Sequence, residues 1–103
     1  MNHIEEHQLA INSPESYWQE QSKLVAWHKA PENILAKNND SWNEWFCDGE
    51  LNSCYLALDY HVEQGRGSQT ALIYDSPVTG QKQQFTYQEL TSLVAKFADV
   101  LTF

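Results

Sequence analysis

A polar stretch precedes the first amphipathic pattern in this chain. Residues 1–12 carry only isolated apolar side chains, and we expect a flexible N-terminal arm or a short helix there. A helix is predicted to begin next, because Ser13 can cap free backbone N–H groups and Pro14 suits the first helical position. It should fade near residues 27–29, since Pro31 disfavours helical backbone in the residue before it. The residues at helical spacing are Tyr17, Trp18, Gln21, Leu24 and Val25.

An Asn-rich connection, residues 30–44, separates this helix from a second one. We expect the connection to be irregular, and too polar to bury the rings of Trp42, Trp45 and Phe46 by itself. The second helix is predicted to run from Asn52, which can cap it, to Gln64. One glycine of the segment 65–67 should end it in a left-handed conformation. Its apolar face consists of Leu51, Cys54, Tyr55, Leu58 and Val62.

Two short strands and a third helix follow. The strands are predicted at Thr70–Asp75 and Gln83–Thr86, and the turn-forming segment 76–80 joins them as a β-hairpin. A two-stranded hairpin is marginal in water, so another element should cover it. Thr86 and Glu89 have the spacing of a capping box, which opens the last helix. That helix places Leu90, Leu93, Val94, Phe97 and Leu101 on one face.

These elements define a small α+β fold of about three helices plus one β-hairpin. The last helix reaches residues 102–103 without a Gly, Asn or Pro terminator, so we expect the chain to stop inside a fold rather than at a linker. Its 103 residues suffice for one small domain but not for a large catalytic machine.

Composition narrows the classes of function. Hydrophobic residues make up 42% and charged residues 19%, which is typical of a globular chain. The net charge of −8 and the scattered cations argue against a nucleic-acid partner, which needs clustered Lys and Arg. The sequence contains no signal-peptide pattern and no apolar run of membrane length, so we expect a cytoplasmic protein with no membrane partner. Cys47 and Cys54 allow a disulfide without implying one, and we expect them to be reduced and partly buried.

Three short patterns suggest chemistry, and each has a plainer explanation. His3-Ile-Glu-Glu-His7 has the residue order of one zinc peptidase class, in which two imidazoles bind the metal and Glu6 would be the base. No third ligand is evident, so a solvated terminal segment is the favoured interpretation. Gly65-Arg66-Gly67 and Thr79-Gly80-Gln81-Lys82 resemble pieces of phosphate-binding loops but lack their structural context. A helix terminator and a hairpin turn explain them better.

The second predicted helix also carries an acid and an imidazole. Asp59 and His61 are two residues apart, so they do not face each other, and no Ser or Cys completes a triad with them. We expect His61 to be a boundary residue hydrogen-bonded to neighbouring backbone, and His28 receives the same interpretation. No catalytic, cofactor-binding or metal-binding residue is therefore assigned.

The order of the aromatic motifs resembles the N-terminal region of the AMP-forming acetyl-CoA and propionyl-CoA synthetases, within the adenylate-forming acyl-CoA ligases. Pro14-Glu15-Ser16-Tyr17-Trp18 resembles the family's P-E-x-[FY]-W helix. Trp45-Phe46, Gly49, Leu51-Asn52 and the helix to His61 are similar to the segment that follows, with Tyr60 where the family usually has Arg. Thr86-Tyr87-Gln88-Glu89-Leu90 is similar to the family's T-Y-x-E-L helix start. The resemblance covers the chain from about Ser13 onward.

The resemblance implies a division of the chain and a reaction for the full enzyme. Residues 1–12 would be an arm, and residues 13–103 an N-terminal domain truncated inside the start of a larger α/β adenylation domain that completes the fold. The full enzyme would use ATP, CoA and Mg to convert acetate or propionate to acyl-CoA, AMP and pyrophosphate. The segments 55–59 and 75–80 look closer to the propionate branch. The family's catalytic motifs match no position here, so the chain alone is expected to be inactive.

A second hypothesis is a stand-alone acidic protein-interaction module. It would dock through Trp42, Trp45, Phe46 and the open face of the last helix, because large apolar patches mark interfaces. In the synthetase, the partner of these faces is the remainder of the same polypeptide. Left bare, the faces could instead pair two copies as a homodimer. A reading frame that continues past Phe103 into a Ser/Thr/Gly-rich loop with a Lys favours the synthetase, and a stop there favours the module.

Overall fold

The computed structural model describes residues 1–102 and confirms the α+β class. It divides into two compact units, the first Met1–Asn52 and the second beginning at Ser53. The first unit contains helices α1 (His3–Asn12) and α2 (Pro14–Ser22) and strands β1 (Leu35–Lys37) and β2 (Asn43–Trp45). The second contains two π-helical stretches (Tyr55–Asp59 and Val62–Arg66), strands β3 (Thr70–Ser76) and β4 (Gln81–Thr86), and helix α3 (Tyr87–Leu101). The sequence analysis expected no helix terminator at residues 102–103. Phe103 lies outside the described residues.

Helix α1 occupies the segment for which the sequence allowed either an arm or a short helix. A capping box opens it: the Asn2 side chain accepts a hydrogen bond from the Glu5 backbone N–H at 2.9 Å. The Glu5 carboxylate in turn accepts one from the Asn2 backbone N–H at 3.0 Å. Two donors that a helix start leaves without intrahelical partners are thereby satisfied.

Helix α2 begins at Pro14 as predicted, but it ends at Ser22, several residues before the predicted end at 27–29. The Ser13 side chain makes no capping hydrogen bond, so that part of the prediction is wrong. The early end has a local cause. The indole N–H of Trp27 donates to the carbonyl oxygen of Ser22 at 2.8 Å. In a continuing helix, that carbonyl would accept the backbone N–H four residues later.

Strands β1 and β2 form an antiparallel pair inside the connection that was expected to be irregular. Leu35 pairs with Trp45, and Lys37 with Asn43. The side-chain oxygen of Asn38 organises the turn between them, because it accepts hydrogen bonds from the backbone N–H groups of Asp40 and Trp42 at 3.0 Å each. The expectation of an irregular segment is therefore corrected for these residues.

The second predicted helix forms over residues 53–66, but with wide turns. The stretch Tyr55–Asp59 uses i→i+5 hydrogen bonds, a geometry that is rare overall but enriched at functional sites. The stretch Val62–Arg66 is not a regular π-helix, because Gly65 inside it has a non-helical backbone. Gly65 adopts a φ of +81°, which confirms the predicted left-handed glycine at the end of this segment. Only glycine takes this conformation without steric cost.

The hairpin and the last helix match their predictions closely. Strands β3 and β4 pair antiparallel from Thr70 opposite Thr86 to Ser76 opposite Gln81, with one irregularity near Leu72. The capping box of α3 is confirmed: the Thr86 N–H donates to the Glu89 carboxylate at 2.8 Å, and the Glu89 N–H donates to the Thr86 hydroxyl at 3.2 Å.

Very few side chains are withdrawn from solvent. Ile34, at 5% exposed, is the only buried residue among the described residues 1–102. The predicted apolar face of α3 lies largely open, with Phe97 at 64% and Leu101 at 62% exposed. The hydrophobic pattern therefore defines faces that this structure leaves uncovered.

Candidate functional site

Three aromatic rings of the first unit form one cluster, which we call the aromatic cluster: Trp27, Trp45 and Phe46. The ring centroids of Trp27 and Phe46 are 5.7 Å apart, and those of Trp45 and Phe46 are 6.0 Å apart. Both separations lie in the range of favourable aromatic pairs. The sequence predicted a cluster of Trp42, Trp45 and Phe46 whose rings the polar connection could not bury by itself. Trp42 and Trp45 are indeed exposed here, Trp42 at 72%. The sequence did not predict that Trp27 would contact Phe46.

Backbone geometry positions the aromatic cluster. The Phe46 N–H donates to the carbonyl of Ile34 at 2.9 Å, and Phe46 itself has a φ of +53°. Gly49 lies beneath the cluster, where a Cβ would stand 2.9 Å from Cζ3 of Trp27. The small residue at position 49 is the one sequence signal that could have indicated this close approach of Trp27.

The Asp48 carboxylate holds the loop beside the aromatic cluster. It accepts hydrogen bonds from the backbone N–H groups of Glu32 and Asn33 at 3.2 Å and from the Asn33 side-chain amide at 3.0 Å. Desolvation is the largest single influence on the pKa of Asp48 and raises it. The hydrogen bonds from Asn33 and Glu32 act in the opposite direction and together hold that pKa below its ordinary value of 3.8.

His61 is placed by side chains rather than by backbone, which corrects the prediction. Nη2 and Nε of Arg66 lie 2.8 and 3.2 Å from its Nδ1. Because a guanidinium can only donate, Nδ1 must be the acceptor, which assigns the neutral Nε2–H tautomer. The imidazole also lies against Tyr87, the first residue of α3, with ring centroids 4.7 Å apart.

Tyrosines occupy the other side of the same helical segment. The Tyr55 hydroxyl donates to the Glu63 carboxylate at 2.6 Å. That hydrogen bond, with desolvation and the Glu63 charge as further causes, raises the pKa of Tyr55. Tyr60, at the position where the resembled family usually has Arg, lies 6.4 Å from the ring of Tyr55 and 5.6 Å from that of His61. An aromatic contact therefore takes the place of a charged side chain here.

The remaining candidate residues are solvated. Helix α1 places the exposed rings of His3 and His7 on one face, with centroids 6.5 Å apart. Residues 1–102 contain no assembled group of three or more His, Cys, Asp or Glu side chains suited to a metal. His28 is exposed, and its backbone N–H donates to the carbonyl of Glu50 at 2.9 Å. Cys47 and Cys54 are free thiols and exposed, not partly buried as expected.

The two glycine-containing segments have the structural roles that the sequence predicted. Residues 65–67 end the wide helix and residues 79–82 belong to the hairpin. In the second unit, β4 and α3 border a groove of about 430 Å³. Its lining is Gln84, Phe85, Gln88, Glu89, Ser92, Leu93 and Lys96. No helix within residues 1–102 is long and apolar enough to cross a membrane.

Comparison with known proteins defines the class. Residues 4–57, just over half of the chain, match the family model described as acetyl-coenzyme A synthetase N-terminus. The chain therefore belongs to this family, as the resemblance predicted.

Several relatives are similar to most of this chain, and two of the three described below are named as acyl-CoA or acetyl-CoA synthetases. An uncharacterized protein of Pseudomonas aeruginosa is 48% identical over 101 residues, which are 98% of this chain and 16% of that protein. The human mitochondrial acyl-CoA synthetase short-chain family member 3 is 40% identical over 92 residues, 89% of this chain and 13% of that protein. The acetyl-coenzyme A synthetase of Burkholderia lata is 38% identical over 93 residues, 89% of this chain and 14% of that protein. The chain thus spans about one seventh of the length of the curated relatives it matches.

The family match also includes α1. It begins at Ile4, inside the segment that the sequence assigned to an arm, and it ends at Ala57, inside the first π-helical stretch. The aromatic cluster and the Asp48 hydrogen bonds lie within the matched residues. The Arg66–His61 pair lies beyond them.

Proposed function

We propose that this chain is the N-terminal structural portion of a short-chain acyl-CoA synthetase and is inactive alone. The observation that carries the proposal is the family match over residues 4–57, joined to relatives of which the chain spans 13–16%. Its role would be to pack against the remainder of the same polypeptide. Residues 13–103 would form the N-terminal domain and lead into the adenylation domain, with residues 1–12 preceding it as an arm.

The reaction belongs to the whole enzyme. A carboxylate oxygen of acetate or propionate would attack the α-phosphorus of ATP, which releases pyrophosphate and leaves acyl-AMP. The thiol of CoA would then attack the acyl carbon and release AMP. ATP, CoA and Mg²⁺ are the proposed cofactors and co-substrates of that enzyme, and a cytoplasmic location is proposed for it. No residue of this chain is assigned a part in either step.

Exposed apolar side chains support a packing role. Trp42 and the α3 residues Phe97 and Leu101 are each more than 60% exposed, although an amphipathic helix is stabilised mainly by covering its apolar face. The remainder of the synthetase would cover them. A stand-alone interaction module would present the same surface, and the family match is what favours the synthetase.

A chimera tests the proposal. This chain would replace the aligned residues of the Burkholderia lata acetyl-coenzyme A synthetase. Acetate-dependent formation of AMP by the chimera would then be measured. We expect the chimera to be active, and this chain alone and the relative lacking the aligned segment to be inactive.

Two results would contradict the proposal. One is a folded, monodisperse chimera without activity although the parent enzyme works. The other is full activity and solubility of the relative after removal of the aligned segment. A matched chimera carrying Trp42→Ser and Phe97→Ser tests the packing role, since both exposed side chains should then be needed for soluble, active enzyme.

A further inference from the structure

The proposed function leaves a histidine pair on α1 without a role. His3 and His7 are four residues apart on a formed helix, so their side chains project from the same face one turn apart. Their ring centroids are 6.5 Å apart and the rings are tilted by 34°. Both residues are exposed, and neither ring takes part in a hydrogen bond within the described residues 1–102. Their ring nitrogens are available as ligands.

We propose that His3 and His7 together bind one borderline divalent transition-metal ion of the Zn²⁺ class. Neutral imidazole is a preferred ligand for such ions, with nitrogen-to-metal distances of about 2.0–2.1 Å. A shared ion requires the two rings to approach each other, and rotation of exposed side chains suffices for that movement. Water would complete the coordination. The site is a binding site without a catalytic role, and it is independent of the synthetase proposal.

The start of α1 favours such a site in two ways. The capping box of Asn2 and Glu5 holds the first turn helical, so the spacing of the two rings exists before any ion binds. Glu5 and Glu6 place two carboxylates in the same first turn. Their charges offset the partial positive charge of the helix N-terminus, which would otherwise oppose a cation there.

Other ligands compete with this histidine pair. The exposed thiols of Cys47 and Cys54 could bind Zn²⁺, so the test removes them by Cys47→Ser and Cys54→Ser. The amino group of Met1 is two residues from His3 and could share an ion with that imidazole alone. The experiment must therefore separate a pair formed by His3 and His7 from a pair formed by His3 and the amino group. Acetylating the amino group does so, because it removes that ligand and leaves both imidazoles unchanged.

The test is a calorimetric titration of the full chain carrying Cys47→Ser and Cys54→Ser with ZnSO₄ near neutral pH, and the histidine variants are made in this thiol-free background. His3→Ala and His7→Ala should each weaken Zn²⁺ binding at least about tenfold, because a single imidazole replaces a chelating pair. His28→Ala is the matched control for an exposed histidine elsewhere and should leave binding unchanged. The double variant His7→Ala with Gln8→His keeps two histidines but sets them about 140° apart around the helix, so it should bind as weakly as His7→Ala.

Three results would overturn the proposal. The first is no Zn²⁺ binding at millimolar metal by the thiol-free chain that keeps both histidines. The second is unchanged affinity in His7→Ala together with loss of binding on acetylation, which would assign the ion to the amino group. The third is full affinity in the double variant, which would show that the helical spacing is irrelevant.

Discussion

Arg66 donates to Nδ1 of His61, with Nη2 at 2.8 Å and Nε at 3.2 Å from that nitrogen, across a spacing of five residues. In an α-helix, side chains five apart point about 140° away from each other. The wide turns of residues 53–66 and the left-handed Gly65 bring these two side chains together. Because the same imidazole lies against Tyr87, this pair fixes a contact between the helical segment and the start of α3.

Loss of the guanidinium should loosen that contact. Arg66→Met keeps much of the side-chain length but removes the donors, and we expect it to lower the free energy of unfolding by about 1 kcal/mol. The free energy of unfolding of Arg66→Lys should lie between those of the unsubstituted chain and Arg66→Met. A lysine ammonium lacks the second donor nitrogen through which the guanidinium also contacts Nδ1. Urea denaturation followed by circular dichroism measures the change. Nitrogen NMR of His61 supplies an independent check, and an Nδ1–H tautomer there would contradict the assignment.

The two glycines that flank Arg66 should respond in opposite ways to the same substitution. Gly65→Ala forces a Cβ into a φ of +81° and should cost about 1 kcal/mol, although nothing lies within 4 Å of the added atom. Gly67→Ala should be neutral or slightly stabilising. Its φ is −56°, and the new Cβ would make ordinary contacts with Val62 and Gln88 at 3.6–3.8 Å. Thermal unfolding of both variants tests the pair, and equal destabilisation would show that φ at position 65 is not the cause.

Asp48 should make the first unit sensitive to acid. Its pKa is lower in the folded chain than its ordinary value of 3.8, so its stabilising contribution is complete above that value. The contribution is lost as the pH falls through the lowered pKa of the folded state. Carbon NMR of the carboxyl should show a midpoint below 3.8, and Asp48→Asn should remove this part of the acid dependence. A midpoint at or above 3.8 would contradict the hydrogen bonds assigned to Asn33 and Glu32.

Two tryptophans should differ sharply in their effect on the isolated chain. Trp27 donates to the Ser22 carbonyl and lies against Phe46, so Trp27→Leu should lower the free energy of unfolding by about 2 kcal/mol. Trp42 is 72% exposed, so Trp42→Leu should change it by no more than about 0.5 kcal/mol. Urea denaturation of the two variants side by side checks this. A large loss on removing Trp42 would show that it belongs to the aromatic cluster after all.

The elements that the sequence predicted well are those with a strong local signal. The capping box of Thr86 and Glu89, the left-handed Gly65 and the β-hairpin each depend on a few neighbouring residues. Local backbone chemistry decides such features, so no knowledge of distant contacts is needed.

The features that the sequence missed depend on residues far apart in the chain or on unusual helical geometry. Strands β1 and β2 are three residues each, too short for an alternating pattern to be recognised. The rings of Trp27 and Phe46 contact each other although the residues are 19 positions apart in the sequence. Gly49 was the one residue whose small size could have indicated this contact. The Arg66–His61 pair could not be predicted, because in an α-helix only side chains three or four residues apart are neighbours and these two are five apart. The family itself could be recognised, because the order of its aromatic motifs survives in the sequence.

Since Ile34 is the only fully buried side chain in residues 1–102 and the other apolar side chains are half-buried or exposed, melting this chain would hydrate less additional apolar surface than melting a compact domain of the same length. The heat capacity increment of unfolding follows that newly hydrated surface, and globular domains show about 12–15 cal/mol/K per residue. The increment for this chain should fall clearly below that range, and its stability curve against temperature should be correspondingly flat. At a given melting temperature and unfolding enthalpy, this smaller increment moves cold denaturation to a lower temperature.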